Sequence, residues 1–437
     1  MPTVLIRAFR VPGLRKKMLF ALAMLALFRV GQILPAPGVD VTAVQQCLSG
    51  ANGGALDMLQ LFSGGAMLKL SVFALGVIPY ITASIVVQLL TVIIPRLEAL
   101  RKEGGQGQAK ITQYTRYLTV GLALPHATTV VALARNGQIF PSCTRPVLHD
   151  DGVWAATLIV AVMVAGACVT MWLGELITDR GVGNGISLLV FTQVVAVFPS
   201  YMSNILKVNP FALVVMLVAG VFLMAAVVFM EQGQRRVPVQ YAKRMVGRRS
   251  YGGSTTYLPL KVNQAGIVPV IFTSSMLMLP NLVVQFTGGT GPVAELVSRY
   301  LVSGDHPVYM TLYFLLIVAF TYFYVSITFN PVEVAESMKR NGGFVPGIRP
   351  GRPTAEYLGF VLSRLTAPGA LYLGVLSLIP IVAFIVLRDP SSQQNFPFGG
   401  ASILIMVGVG LDTVKQIEAQ VGQREYKGFL REPRARI

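Results

Sequence analysis

Apolar runs of about twenty residues recur along this 437-residue chain and alternate with shorter polar segments. A helix rises about 1.5 Å per residue, so crossing the hydrocarbon core of a bilayer takes about 20 apolar residues. The chain is 54% hydrophobic and 13% charged, whereas soluble domains carry roughly 25% charged residues. The pattern predicts an all-α polytopic membrane protein. Its ten predicted spans cover residues 18–34, 73–94, 115–133, 154–174, 186–206, 210–230, 264–286, 308–329, 367–387 and 400–418.

Basic residues are divided unevenly between the two alternating sets of connecting segments. Of the 36 Lys and Arg residues, 27 lie in one set and 6 in the other. The positive-inside rule assigns the basic set to the cytoplasm, which places both termini inside. Five spans precede about residue 207 and five follow, so the halves 1–207 and 208–437 enter the membrane from opposite sides. If the halves are structurally related, they form an inverted repeat with a site near the membrane midplane.

The apolar segment at 55–62 is too short to cross a bilayer and stops at Ser63-Gly64-Gly65, on the outer side of the predicted topology. The full-length second span follows within a few residues. Non-helical backbone at membrane depth persists only where protein buries it or where it lines a water-filled cavity. A half-length element beside a full-length span therefore indicates a path through the protein.

The predicted spans carry almost no charge near mid-depth. The charged residues within them lie near the span ends: Arg29 toward the outer end of the first span and Asp412 toward the inner end of the tenth. Ion-coupled transporters usually bury charged groups along their path. The sequence contains no phosphate-binding loop, His/Cys ligand cluster or catalytic constellation, so we expect no enzymatic activity, no cofactor and no metal. Of its three cysteines, Cys47 and Cys143 lie in predicted outer loops, and the sequence leaves open whether they pair.

Aliphatic residues flank helix-breaking Gly and Pro residues at 76–81, 181–186 and 266–271. Each place alone is typical of ordinary packing, because Gly and Pro are common in membrane helices. Together they indicate kinked helices around a narrow apolar constriction. Two other classes stay open on these features. One is a secondary transporter for a small solute, which also has broken helices and inverted repeats. The other is an insertion scaffold without an aqueous pore.

Two long loops on the predicted cytoplasmic side are basic. In 231–262, alternating residues on either side of Gly252-Gly253 predict a protruding β-hairpin. The other loop, 330–357, ends in a Pro- and Gly-rich frame. Such basic clusters suit the phosphates of RNA or an acidic protein face, and anionic lipids would serve equally well on charge grounds. The predicted partner surface comprises Arg235, Arg236, Lys243, Arg244, Arg248, Arg249, Arg349 and Arg352.

The chain resembles the SecY family, the large subunits of bacterial protein-conducting channels, over nearly its whole length. Seven ordered segments carry the resemblance: LDMLQLFSGGA (56–66), FALGVIPYITASIVVQLLTV (73–92), KITQYTRY (110–117), ITDRGVGNGISL (177–188), RRVPVQYAKR (235–244), LPLKVNQAGIVPVIF (258–272) and IRPGRPT (348–354).

This resemblance implies a clamshell of two five-helix halves around an hourglass pore, in the bacterial cytoplasmic (inner) membrane. It implies a passive channel that conducts unfolded secretory polypeptides and releases membrane segments sideways into lipid. The energy would come from the SecA motor ATPase, the ribosome or the membrane potential. Further implied partners are the small membrane subunits SecE and SecG, signal peptides and nascent polypeptides.

The resemblance also implies roles for individual residues. The plug that fills the outer funnel comprises Leu56, Met58, Leu61, Phe62, Ser63, Gly64, Gly65 and Met67. The aliphatic pore ring comprises Val77, Ile81, Ile186, Val190 and Ile271, with Met406 and Gly410 as candidates in the tenth span. The lateral gate between the second and seventh spans comprises Thr82, Gln88, Thr91, Asn263 and Ser275. Gly410 departs from the larger aliphatic residue expected at its position.

Overall fold

Helices make up most of the computed structural model, which describes residues 9, 11–40, 42–44, 64–67, 69–135, 152–208, 210–241, 244–246, 249–251, 255–274, 276–277, 292–297, 300–301, 306–387 and 400–429. The helices are α1 (Pro12–Ile33), α2 (Ile78–Ile93), α3 (Pro95–Lys102), α4 (Gly105–Arg135), α5 (Val153–Arg180), α6 (Gly185–Val208), α7 (Pro210–Gln232), α8 (Pro292–Val297), α9 (Pro307–Thr328), α10 (Pro331–Arg340), α11 (Arg352–Leu387) and α12 (Gly400–Phe429). The strands are β1 (Gln234–Tyr241), β2 (Arg244–Val246), β3 (Arg249–Tyr251), β4 (Thr255–Lys261) and β5 (Gly343–Phe344).

Proline sets several helix boundaries. It occupies the first turn of α1, α2, α3, α9 and α10. That position suits proline because its fixed φ is helical and the N–H it lacks would have no partner within the helix. Proline also ends α1, because Pro35 restricts the preceding residue, and Leu34 is extended at φ −70° and ψ 117°.

Each of the ten predicted spans contains helix, and the seventh is described as helical at 268–274. Four described helical stretches are long and apolar enough to cross a membrane: Gly105–Arg135, Val153–Arg180, Pro307–Arg340 and Arg352–Ile379. A fifth results if α2 and α3, which are bent by 99° at their junction, count as one broken span. The prediction of an all-α polytopic membrane protein is confirmed, while the total of ten spans stays a prediction.

Some predicted span boundaries are wrong. α2 begins at Ile78 rather than at residue 73, because residues 72–77 form turns in which Gly76 has a φ of 55°. α4 and α11 begin earlier than predicted, because hydropathy detects only the apolar part of a helix and both helices have polar first turns.

The described residues group into two compact units. The first unit holds the residues up to Leu213 and those from Ile405 onward, and the second holds Val214 to residue 387 together with 400–404. In the first unit, residues of α4 and α5 pack in one buried cluster with residues from the segments 36–44 and 67–75. The inverted relation between two five-span halves stays a prediction.

Large apolar side chains are exposed along several helices, as expected for surfaces that face lipid. Phe222 and Phe229 of α7 are 74% and 79% exposed. Trp154 at the start of α5 is 89% exposed, and Trp172 toward its other end is 55% exposed, as in the aromatic belts of membrane proteins.

A three-stranded antiparallel sheet lies in the second unit, in the order β4-β1-β5. β1 pairs with β4 from Gln234 opposite Lys261 to Gln240 opposite Thr255, which confirms the predicted hairpin. β2 and β3 also pair antiparallel, from Arg244 opposite Tyr251 to Val246 opposite Arg249, so the chain reverses between them. Gly252 and Gly253 lie outside the described residues. The loop 330–357 contains α10 and β5, which the sequence analysis did not predict. Asn330-Pro331 is nevertheless a helix-start signal, because the Asn330 side chain caps α10 by accepting a hydrogen bond from the Val332 N–H at 3.1 Å.

Candidate functional site

The last residues of the predicted plug and those that follow them are bonded to the end of α1. We call 66–67 and 69–73 the base segment. The Val72 N–H donates to Leu34 O and the Ala36 N–H donates to Leu70 O, each at 2.9 Å. Leu70 is held at a φ of 45°, a conformation that L-residues with a side chain rarely adopt, and it is 1% exposed. The base segment is therefore a fixed anchor.

Two glycines allow the base segment to approach its neighbours closely. A Cβ atom on Gly31 of α1 would collide with the Phe73 ring, and one on Gly166 of α5 would collide with the Val72 carbonyl oxygen. Phe73 also stacks on Phe28 of α1, with ring centroids 5.9 Å apart. Neither glycine was singled out from the sequence, since nothing in the local pattern shows which glycine faces a distant backbone.

The predicted hinge contains two consecutive residues of left-handed backbone. Gly64 has a φ of 65° and Gly65 a φ of 77°, values that glycine adopts without the steric cost of a Cβ atom. Met67 is 6% exposed and packs in the cluster that includes Ile159 and Met163 of α5. The other predicted plug residues, Leu56, Met58, Leu61, Phe62 and Ser63, lie outside the described residues.

Six of the seven predicted pore-ring residues lie in the first unit, and Ile271 lies in the second. Val77 directly precedes α2 and is 1% exposed, whereas Ile81 in the first turn of α2 is half-buried. Val190 is 6% exposed. Near the start of α12, Met406 and Gly410 are half-buried, and a Cβ atom on Gly410 would meet nothing within 4 Å. The space beside Gly410 can therefore hold a larger side chain.

The turn between α5 and α6 positions Ile186. The Asn184 side chain caps α6 by accepting from the Ile186 N–H at 3.1 Å, and the Gly185 N–H donates to Thr178 Oγ1 of α5 at 2.9 Å. A Cβ atom on Gly174 of α5 would collide with Ile186 Cδ1. The half-buried Ile186 side chain thus reaches back onto α5, a contact that the sequence did not indicate.

The predicted gate residues have different environments. Thr82 Oγ1 donates to Ile78 O at 3.0 Å and Thr91 Oγ1 to Gln88 O at 2.6 Å, and the Gln88 side chain is exposed. In the second unit, Asn263 is 4% exposed, and its Nδ2 donates to Glu231 Oε1 at 2.5 Å. Asn263 therefore bonds within its own unit. Ser275 lies outside the described residues.

The two predicted basic loops fold into one body, which we call the basic module and define as β1, β4, β5, α10 and the first turns of α11. Val237 and Val239 of β1, Leu260 of β4, Met338 of α10 and Leu358 of α11 share one buried cluster. The alternating burial of β1 follows from this packing. The sequence predicted both loops but not their common core.

Basic side chains lie on the surface of this module. Arg235 and Arg236 of β1 and Arg349 before α11 are exposed, and no ion pair joins them to a described residue. Arg352 Nε lies 3.0 Å from Glu356 Oε1, an exposed pair within one helix turn. Arg244 and Arg249 lie in the paired strands β2 and β3, while Lys243 and Arg248 lie outside the described residues.

No cluster of three His, Cys, Asp or Glu side chains among the described residues could hold a metal ion. Cys168 is a free thiol, and Cys47 and Cys143 lie outside the described part of the chain. The predicted site thus consists of aliphatic positions, a glycine hinge on a fixed base, and a basic module.

The long apolar helices of the described residues are those of a polytopic membrane protein. The SecY family model matches residues 71–414. The protein translocase subunit SecY of Streptomyces galbus is 56% identical over 99% of this chain and 100% of its own length. A solved structure of a SecY protein whose plug domain stabilises the closed state of its translocation channel aligns over 92% of both chains, at TM-score 0.62 and 16% identity. Sec61 in the canine ribosome–channel complex aligns over 92% of both chains at TM-score 0.59 and 16% identity.

The chain therefore belongs to the SecY family, whose protein translocase subunits it matches over its full length. A secondary transporter for a small solute, which the sequence pattern left open, is not favoured by these relatives.

Proposed function

We propose that this protein is the central pore-forming subunit of a protein translocase, a passive channel that conducts unfolded secretory polypeptides and releases membrane segments sideways into lipid. The full-length match to protein translocase subunits carries the proposal. The uncharged aliphatic positions support it, because flexible apolar side chains offer no fixed hydrogen bonds and yield to any passing sequence. A hydrophobic constriction also hinders ions, whose dehydration is costly.

The same proposal assigns the chain to the bacterial cytoplasmic membrane with both termini inside. The halves 1–207 and 208–437 would surround the pore, with the plug on its outer side and the gate between spans two and seven. The chain itself catalyses nothing, so the SecA motor, the ribosome or the membrane potential drives transport. SecE and SecG are the proposed membrane partners, signal peptides and nascent polypeptides are the cargo, and anionic lipids face the basic surface.

Crosslinking tests the pore assignment. Cysteine replaces Ile81 or Ile271 in a variant whose three native cysteines are serines, and a secretory polypeptide is arrested in the reconstituted complex with its motor engaged. We expect both cysteines to crosslink to the arrested chain. Cysteine at Phe222, which is 74% exposed on α7, is the matched control and should not crosslink. An engaged motor without crosslinks at either ring position would overturn the assignment.

The Gly410→Ile variant tests the pore ring at the candidate position that has no side chain. Because the space beside Gly410 is open, we expect the variant to fold, and isoleucine favours a helix over glycine by about 0.5 kcal/mol. The added side chain should lower the ion current that accompanies polypeptide transport severalfold in planar bilayers.

Gly408→Ile is the control for this prediction. A Cβ atom on Gly408 also meets nothing within 4 Å, and residues two apart project from opposite sides of a helix. Equal ion currents for the wild type and Gly410→Ile would show that Gly410 does not belong to the pore ring.

A further inference from the structure

Arg29 lies in the last turns of α1, and its guanidinium joins three parts of the first unit. Nη1 donates to Gln32 Oε1 at 2.6 Å and to the Gly64 carbonyl oxygen at 3.4 Å. Nη2 donates to the Ala196 carbonyl oxygen of α6 at 3.4 Å. One side chain thus bonds α1, α6 and the glycine hinge at the same time.

Only neutral groups contact this guanidinium among the described residues, where no carboxylate pairs with Arg29. A charge at membrane depth is costly unless polar groups compensate it, and hydrogen bonds to charged donors are stronger than neutral ones. Gln32 is 2% exposed and Gln193 is 1% exposed, and Gln193 Nε2 donates to no group within the described structure. A Cβ atom on Gly64 would lie 3.1 Å from Gln32 Nε2 and 3.3 Å from Gln193 Cα, so the hinge fits closely into this polar pocket.

The α6 carbonyl that accepts from Arg29 lies next to the place where a proline interrupts the helix. Pro199 lies inside the helix and has no N–H to donate to Val195 O, which interrupts the hydrogen-bond ladder at that turn. The next carbonyl, that of Ala196, accepts from Arg29. The forked guanidinium can reach two carbonyl groups on separate segments, which the single ammonium of lysine does less well.

We infer that Arg29 is a positioning residue that latches the Gly64–Gly65 hinge to α1 and α6 and so holds the channel in its resting state. The inference rests on the proposed channel function. Its two bonds to Gly64 and Ala196 are long, whereas the base segment just beyond the hinge is held by several backbone bonds and by buried side chains. Release of the latch therefore removes the side-chain bond to Gly64 and leaves the base segment in place.

Idle-channel conductance tests the latch in the reconstituted complex. We expect Arg29→Gln to raise the frequency of ion-conducting openings without cargo by about tenfold, the effect of about 1.4 kcal/mol on a two-state equilibrium. The variant should also transport a reporter with a weakened signal peptide, because releasing the hinge lowers the free energy that signal-peptide binding must supply to open the channel. Transport of the normal reporter should stay near the wild-type level.

Arg116→Gln is the matched control, since it also removes an arginine from a helix of the first unit. Arg116 forms a two-pronged ion pair with Glu175, at 2.9 and 2.7 Å, and has no contact with the hinge. The Arg116→Gln variant should therefore leave the idle conductance unchanged. If Arg29→Gln does not accumulate, Arg29→Lys keeps the charge and loses the fork, and it should raise the opening frequency severalfold.

The outcomes separate the two proposals. A wild-type complex that fails to transport the normal reporter would contradict the channel function itself. A wild-type complex that transports it, together with an Arg29 variant whose idle conductance and signal requirement are those of the wild type, would overturn the latch and leave the channel function standing.

Discussion

Arg349→Glu is expected to block motor-driven export while the protein still folds. Arg349 is exposed, and the backbone around it is rigid: Gly347 and Gly351 hold φ values of 84° and 105°, and the Arg349 carbonyl accepts from Thr354 Oγ1 at 2.8 Å. Ile348, its neighbour, packs on the buried cluster of the basic module. The side chain is thus presented on a fixed frame, as a partner contact requires.

Charge reversal there replaces an attraction for an acidic partner by a repulsion. A hydrogen-bonded charge pair contributes about 1.5–3 kcal/mol, so the affinity for the motor should fall by at least about tenfold. Motor binding to membrane vesicles and export of a secretory reporter measure this. Arg340→Glu, an exposed reversal at the end of α10 in the same module, controls for net charge. Normal export by a stably accumulated Arg349→Glu protein would remove Arg349 from the partner surface.

Deletion of residues 56–63 is expected to make the idle channel leak ions without unfolding it. The deleted stretch is the predicted plug through Ser63, so Gly64, Gly65 and the base segment stay in the chain. We expect conducting openings without cargo in planar bilayers for the deletion variant and far fewer for the complete protein. An ion-tight deletion variant that still accumulates would contradict the plug and favour a scaffold without a pore.

A longer deletion, 56–67, is the structural control. It removes Ala66 and Met67, which are 1% and 6% exposed and whose carbonyls accept from the Ser71 and Leu70 N–H groups at 3.1 and 3.0 Å. Truncating one buried methionine costs about 2–5 kcal/mol. This variant should accumulate poorly and unfold at lower temperature, and equal stability of the two deletions would show that the base segment is not an anchor.

The sequence predicted the helices well because hydropathy and proline act locally. Any run of about 20 apolar residues must be helical in a bilayer, where backbone groups have no water to bond. The β-hairpin in 231–262 followed from alternation, which is also local. The misplaced boundaries arise for the same reason, since α11 continues through polar residues that hydropathy does not mark.

Local sequence patterns did not predict the contacts at the candidate site. The sequence singled out Ser63-Gly64-Gly65 as a break, and the left-handed backbone at Gly64 and Gly65 agrees with it. Nothing near residue 64 indicates that its carbonyl accepts from Arg29, 35 residues earlier, and Arg29 itself was noted only as a charge near the end of a span.

The sequence by itself determined the helical class of this protein, the asymmetry of its basic loops, and the family to which it belongs, because these depend on residue chemistry and order along the chain. The tertiary structure decided which glycines admit a distant backbone, how two basic loops share one core, and what holds the hinge. Those features depend on groups that are far apart in the chain and meet only when the helices pack, and no local periodicity encodes such a meeting.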